Sequence, residues 1–130
     1  MEETLRHASP VQNTFRYRAV DHELYGVKLR AGQFLALALA GANRDPAVFE
    51  DPHRFDVTRA NAREHLAFGV GPHFCVGAVL ARMEGEIALR RLFERFPDLR
   101  PAGPPLRRPT RLLHGLASYP VDLGSRVAVA

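Results

Sequence analysis

Residues 68–78 read Phe68-Gly69-Val70-Gly71-Pro72-His73-Phe74-Cys75-Val76-Gly77-Ala78. Three glycines and a proline surround the only cysteine of the chain. Glycine adopts backbone angles that are closed to other residues and lets another body approach the main chain closely. The stretch therefore predicts a rigid loop of small residues that presents one sulfur atom.

The cysteine stands just before a segment of helical character. A cysteine at a helix N-terminus faces free N–H groups and the positive end of the helix dipole, which favour the thiolate and should lower the thiol pKa. An anionic sulfur in a rigid loop suits either a metal ligand or a nucleophile. A buried structural cysteine is the alternative, but it does not explain the glycines.

The helical segment itself is predicted to run from Ala78 to Phe96 and to end at Pro97. Its apolar residues change side partway along, so we expect packing partners on two faces and a place inside a larger fold. Opposite charges stand four residues apart, which predicts stabilising ion pairs along the helix. These charges belong to Arg82, Glu86, Arg90 and Glu94.

Short elements are predicted around this helix. They are a helix over 1–7, extended chain over 11–29 with a hairpin turn at Tyr25-Gly26, a turn at Ala31-Gly32, a strand or short helix over 34–40, a loop over 101–109 and a terminal hairpin over 112–121. Residues 41–71 are expected to be mostly irregular. A loop of that length in a compact domain is often functional.

The composition is that of a soluble globular domain, with 46% hydrophobic and 25% charged residues. The net charge of +4 comes almost wholly from scattered arginines, which argues against nucleic-acid binding. One cysteine excludes an internal disulfide scaffold. The apolar run over 34–40 is too short to cross a bilayer, and the acidic start Met1-Glu2-Glu3 is unlike a signal peptide. Neither a membrane nor a nucleic acid is expected as a partner.

The spacing Phe-x-x-Gly-x-x-x-Cys-x-Gly, present as Phe68, Gly71, Cys75 and Gly77, resembles the haem-binding signature of the cytochrome P-450 family. Residues 77–84 also resemble the soluble bacterial members. The resemblance implies a mainly α fold with small β-hairpins, haem b as the cofactor, and Cys75 as the axial ligand of its iron. The cofactor-binding residues that it implies are Phe68, Gly69, Gly71, His73, Gly77, Ala78, Arg16 and His65.

Among these residues, Arg16 and His73 match contacts to the haem propionates in relatives. A carboxylate in a partly dry site needs a charge-assisted donor, which both side chains can provide. His65 is expected to add a hydrogen bond near the same edge.

The segment Glu3-Thr4-Leu5-Arg6 resembles the Glu-x-x-Arg helix motif of the family, and Pro52-His53-Arg54-Phe55 resembles the segment that supplies a second arginine. By resemblance, Glu3, Arg6 and Arg54 form a buried ion network that fixes the cysteine loop. Removing one member of a buried network costs roughly 3–5 kcal/mol, so these residues are interpreted as structural.

The resemblance implies a haem-thiolate monooxygenase, because a cysteine thiolate donates electron density to iron and favours cleavage of the O–O bond. One oxygen atom would enter a small organic substrate, and a redox partner such as a ferredoxin would supply the electrons. The expected location is the cytoplasm. The resemblance covers only about the last third of the family's fold. Residues 1–130 are thus expected to form a single partial domain, without the N-terminal region and the central helix, and to lack activity alone.

Three alternatives remain open from the sequence. The chain is a non-catalytic remnant that binds haem weakly or not at all; or Cys75 is the nucleophile of a thiol enzyme with His73 or His65 as base; or the arginines of the long helix, Arg82 and Arg90, dock an acidic redox protein. Substrate, redox partner and oligomeric state are not specified by the sequence.

Overall fold

The computed structural model describes residues 1–110, 112–125 and 127, so residues 111, 126 and 128–130 of the predicted single domain lie outside the described residues. Its helices are α1 (Glu2–His7), α2 (Leu39–Ala42) and α3 (Ala78–Arg95), with single 3-10 turns at Ala62–Glu64 and Gly71–His73. Its strands are β1 (Asn13–Tyr17), β2 (His22–Leu24), β3 (Val27–Leu29), β4 (Phe34–Ala38), β5 (Arg100–Pro101), β6 (Leu106–Arg107), β7 (Leu116–Ser118) and β8 (Val121–Asp122). The predicted combination of helix and small β-hairpins is confirmed.

The β2–β3 hairpin turns at Tyr25 and Gly26, as predicted. Both residues have positive φ angles, 48° and 78°, which is the geometry of the two-residue turn that matches strand twist. The hairpin connects β1 to β4, which pair antiparallel from Asn13–Ala38 to Tyr17–Phe34. The apolar run over 34–40 is therefore a strand that continues directly into α2.

The terminal hairpin predicted over 112–121 is wrong. Strand β7 pairs with β6, inside the predicted loop over 101–109, and β8 pairs with β5, which begins one residue before that loop. A proline lacks the N–H that a ladder needs, yet it is tolerated in an edge strand. Pro101 occupies such a place in the two-stranded β5–β8 ladder.

The ion pairs predicted along α3 are also wrong. Among the residues that the structure describes, none of them forms; Arg91 pairs with Glu94 instead, at 3.4 Å. The side chain of Arg82 points away from the acids of α3 and binds Glu2 of α1 at 2.8 Å. Exposed ion pairs contribute only about 0–1 kcal/mol, so a better-shielded carboxylate elsewhere competes easily.

The best-buried part of the chain lies between α1 and the segment over 43–67. Its apolar members are Leu5, Phe49, Ala62 and Ala67, and its polar members are Glu3, Arg6, Ser9, Asn43 and His65. A core so rich in polar groups requires each of them to be hydrogen-bonded.

Helix α3, in contrast, is only lightly covered. Leu80, Met83, Ile87 and Phe93 are each more than half exposed. That the helix packs against further partners on these apolar faces stays a prediction. Within the described ranges, no helix combines the length and the apolar character needed to cross a bilayer.

Candidate cofactor site

The loop that carries Cys75 is closed by its own backbone. The amide of Cys75 donates to the carbonyl of Phe68 at 3.0 Å, and the amide of Phe74 donates to the carbonyl of Gly71 at 2.9 Å. Gly69 and Gly71 have φ angles of 72° and 77°, a region where any side chain is strained. The glycines of the motif therefore allow a tight turn that leaves Cys75 exposed.

The third glycine acts through space rather than through its backbone angles. Gly77 immediately precedes α3 with φ at −84°, which other residues adopt freely. A Cβ at this position would lie 3.8 Å from Sγ of Cys75. The glycine thus keeps one side of the sulfur clear, while Ala78 begins α3 and is buried.

A cavity of about 320 Å³ opens in front of the sulfur. It is lined by Cys75, Phe68 and Gly69 of the loop, by Arg16 of β1, and by Leu39 of α2. Its wall is mainly apolar.

Two basic side chains, Arg16 and His73, also line this cavity. Nη1 of Arg16 donates to Oγ1 of Thr14 at 3.2 Å and to the carbonyl of Phe15 at 2.7 Å. Within the described part of the chain, Nε and Nη2 of Arg16 make no hydrogen bond, so they can serve an anion. A sulfur donor, apolar walls and two basic groups in one cavity fit a flat, apolar cofactor that carries carboxylates.

The other predicted cofactor-binding residues lie elsewhere. Gly71, Gly77 and Ala78 do not line the cavity and instead shape the loop and the start of α3. The hydrogen bond expected from His65 near the edge of the cofactor stays a prediction, although both ring nitrogens of His65 have protein partners. Its Nδ1 accepts from the amide of Ala67, and its Nε2 contacts Glu2, both at 3.1 Å.

Because Nδ1 accepts, the proton of a neutral His65 must sit on Nε2 and be donated to Glu2. Burial lowers the pKa of this imidazole, although Glu2 opposes the shift. His65 is therefore a buried side chain that is hydrogen-bonded through both ring nitrogens. It has no ring nitrogen left to act as a base for Cys75.

The buried ion pair that the sequence predicts in α1 is present. Nε and Nη2 of Arg6 donate to the two carboxylate oxygens of Glu3, each at 2.7 Å. The remaining three N–H groups of Arg6 donate to the carbonyls of Asn43, Pro52 and Arg54 at 2.8–3.1 Å. All five guanidinium donors are thus satisfied. The hydrogen bond from Arg6 holds the pKa of Glu3 down to about 2.

The second arginine of this network is Arg59, and the prediction of Arg54 is wrong. The side chain of Arg54 is 68% exposed and lies 4.0 Å from Asp56, so only its carbonyl takes part. Nε of Arg59 lies 3.3 Å from Oε2 of Glu3, and its side chain is 9% exposed.

A sequence signal for Arg59 exists in the residues before it. Oδ1 of Asp56 accepts from the amide and the hydroxyl of Thr58, which is the turn that Asp-x-Thr sequences favour. The same turn directs the amide of Asp56 to Glu3 at 2.9 Å. The turn could have been predicted, but its direction toward α1 could not.

Asn43 is a further structural residue, fully buried. Its Oδ1 accepts from the amide of Leu66 at 2.6 Å, and its Nδ2 donates to Oγ of Ser9 at 2.7 Å. Together with the bond from Arg6, the residue ties α1 to the chain that enters the cysteine loop.

The proposed alternatives can be compared with this geometry. Among the described side chains, no imidazole is hydrogen-bonded to Sγ of Cys75, and no group of three or more His, Cys, Asp or Glu side chains is arranged to hold a metal ion. The thiol–histidine pair of a thiol enzyme is therefore not formed. Arg82 is engaged by Glu2, whereas Arg90 stays exposed, so the cationic face predicted for α3 is smaller than expected.

The cytochrome P450 family model matches residues 1–119 of this chain. A putative cytochrome P450 140 of Mycobacterium tuberculosis is 56% identical over 124 residues, covering 95% of this chain and 28% of the relative. The 6-deoxyerythronolide B hydroxylase of Saccharopolyspora erythraea is 47% identical, covering 95% of this chain and 31% of the relative. Across the curated relatives, the chain spans 28–33% of their length.

Solved structures agree with the sequence comparisons. CYP109E1 of Bacillus megaterium, in complex with testosterone, superposes with a TM-score of 0.90 at 37% identity, over 95% of this chain and 35% of that one. P450BioI, in complex with an acyl carrier protein that carries hexadec-9Z-enoic acid, gives a TM-score of 0.89 at 42% identity, over 92% and 31%.

Proposed function

This chain belongs to the cytochrome P450 family, and on that premise we propose that it is the haem-ligating part of a monooxygenase, with Cys75 as the axial ligand of the iron. Members of the family bind haem b. The observation that carries the proposal is that Cys75, Arg16 and His73 line one cavity. This arrangement offers a sulfur to a metal and basic groups to carboxylates at the same time.

Each group of the chain has a defined task in this proposal. Cys75 bonds to iron as a thiolate, which the N-terminal end of α3 favours. Phe68 and Gly69 form part of the cavity wall, against which a flat ring can lie. Arg16 and His73 donate to the haem propionates.

The remaining residues of the site keep these groups in place. Gly71 permits the tight turn, Gly77 leaves the sulfur uncovered, and Ala78 anchors the first turn of α3. The buried Glu3–Arg6–Arg59 network holds the irregular chain over 43–59 against α1 and takes no part in chemistry.

When bound, haem supplies the reductive activation of dioxygen, so that one oxygen atom enters an organic substrate and the other leaves as water. Because the chain spans about a third of its relatives, we assign this activity to the whole protein and not to residues 1–130 alone. A small organic substrate and a redox partner follow from the same assignment. The ferredoxin and the cytoplasmic location remain predictions, which reconstitution with purified ferredoxins and cell fractionation would test.

The decisive experiment measures ligation by absorption spectroscopy. The chain is loaded with haemin, reduced and exposed to carbon monoxide. A chimera, in which residues 1–130 replace the matching part of the putative cytochrome P450 140, is treated in the same way. We expect the red-shifted band of a thiolate-ligated ferrous–CO complex, and its loss in Cys75→Ala. Val76→Ala is the matched control, because Val76 is fully exposed next to the cysteine.

Two results would contradict the proposal. A band that survives in Cys75→Ala would show that another side chain holds the iron. A chimera that takes up no haem would favour the alternative of a remnant without cofactor.

A further inference from the structure

Glu2, the residue before the buried Glu3, contacts a different part of the molecule. Its carboxylate accepts from Nε and Nη2 of Arg82 at 2.8 and 3.1 Å, and contacts Nε2 of His65 at 3.1 Å. The side chains are 14% exposed for Glu2, 28% for Arg82 and 1% for His65. Three groups from α1, α3 and the segment between them thus meet in one partly dry cluster.

The cluster contacts the aromatic ring of Phe68, at the start of the cysteine loop. The guanidinium of Arg82 lies 4.7 Å from the ring centre of Phe68, a cation–π contact. The imidazole of His65 contacts the same ring at 5.9 Å. The ring of Phe68 is therefore held by two members of the cluster.

Phe68 is in turn bonded to the residue that carries the sulfur. Its carbonyl accepts from the amide of Cys75 at 3.0 Å, and both residues line the cavity. His65 acts on the neighbouring backbone as well, because its Nδ1 accepts from the amide of Ala67. Displacement of Phe68 would therefore move the backbone to which Cys75 is bonded.

We infer that Glu2, His65 and Arg82 are positioning residues, which fix Phe68 and thereby the direction in which Cys75 presents its sulfur. The effect on iron ligation rests on the proposed function of Cys75. The restraint of Phe68 and of the Cys75 backbone does not depend on that function. This positioning role is distinct from the role of the Glu3–Arg6–Arg59 network, in which Arg6 donates to the carbonyls of Asn43, Pro52 and Arg54.

The test begins without haem, by hydrogen exchange of the Cys75 amide in the full chain. In Glu2→Gln and Arg82→Ala, we expect this amide to exchange roughly tenfold faster, because a charge-assisted contact that restrains it is lost. Amides of the β1–β4 ladder should be unchanged. The matched controls are Glu84→Gln and Arg90→Ala, which alter exposed side chains of α3.

His65 allows a conservative comparison. His65→Gln keeps a donor for Glu2 and an acceptor for the amide of Ala67, so protection of the Cys75 amide should largely persist. His65→Leu removes both groups and should accelerate exchange of the Cys75 and Ala67 amides.

The same variants are then loaded with haemin and examined as ferrous–CO complexes. Glu2→Gln, Arg82→Ala and His65→Leu should show a larger share of the blue-shifted form that lacks thiolate ligation, and His65→Gln should resemble the parent protein. An unchanged Cys75 amide in Arg82→Ala, or equal acceleration of every amide, would overturn the positioning role. A parent protein without any thiolate band would overturn the proposed ligation instead, while the exchange data still decide the positioning role.

Discussion

Arg59 and Glu3 are joined across 56 residues of chain by a contact of 3.3 Å between Nε and Oε2. Glu3 therefore accepts from two arginines, since Arg6 binds it from the next turn of the same helix. Because both carboxylate oxygens are buried, each arginine compensates part of the same desolvation cost. The network is a structural support whose members are not interchangeable.

Alanine substitutions should distinguish Arg59, which belongs to the buried network, from Arg54, whose side chain does not. We expect Arg59→Ala to lower the free energy of unfolding by about 1–3 kcal/mol, because a buried carboxylate loses a charged donor. Arg54→Ala should change it by less than about 0.5 kcal/mol, since that side chain is largely exposed. Urea unfolding followed by circular dichroism measures both free energies. Equal losses of stability in the two variants would show that the side chain of Arg54 belongs to the network.

The acid limb of stability should depend on Glu3. Its pKa in the folded chain is about 2, below its ordinary value of 4.5, so the carboxylate stabilises the fold fully above pH 4.5. That contribution is lost as the pH falls from 4.5 toward 2. Glu3→Gln should therefore be less stable at neutral pH and lose less of its remaining stability on acidification. Urea titrations at several pH values test this, with Glu84→Gln expected to keep the parent slope.

Asn43 should be among the least replaceable uncharged residues. Asn43→Ala leaves the part-buried amide of Leu66 without its acceptor, and an amide that loses its acceptor away from water costs about 1–3 kcal/mol. Asn61→Ala also removes one side-chain bond, to the carbonyl of Val48, but in an exposed place where water can substitute. Thermal unfolding of the two variants compares them, and a smaller loss at Asn43 than at Asn61 would contradict the structure.

The two glycines on either side of Cys75 should respond differently to alanine. Gly71→Ala meets no neighbouring atom, yet it must adopt a φ near 77°, which costs about 1–2 kcal/mol. Gly77→Ala has an ordinary φ and should leave the free energy of unfolding almost unchanged. Its Cβ would lie beside the sulfur, so we expect slower alkylation of the Cys75 thiol instead. Equal effects of both substitutions on stability would be inconsistent with this division.

The basic residues of the cavity should contribute to cofactor affinity. If Arg16 donates to a haem propionate, Arg16→Ala should weaken haemin binding roughly tenfold or more. Arg16→Lys keeps the charge and should lose less, and Arg30→Ala, which changes an exposed arginine, should have no effect. Titration of the haem-free chain with haemin measures all three, and equal affinity of Arg16→Ala and the parent would count against the contact.

Features encoded by neighbouring residues could be predicted from the sequence. The Tyr25-Gly26 turn, the extent of α3 and the tight loop before it each depend on backbone preferences within a few positions. The Glu3–Arg6 pair belongs to this group too, because residues three apart share one face of a helix.

Features that depend on distant segments could not be predicted in this way. The exchange of Arg54 for Arg59 depends on how an irregular chain folds back onto α1. The spacing of charges on α3 predicts partners for Arg82 on its own helix, but its partner Glu2 lies 80 residues away. The sequence does not predict the pairing of β7 with β6 and of β8 with β5, because each strand has only two or three residues, too few for an alternating pattern.

Consecutive residues of an α-helix point about 100° apart, and Glu2 and Glu3 use this angle to serve two separate clusters. A substitution at either position can disturb only its own cluster directly. A one-residue insertion or deletion after them would rotate both acids relative to Leu5 and Arg6, and so misalign both clusters at once. Gene variants that change the length of this short helix should therefore be more damaging than a substitution of Glu2 or of Glu3 alone.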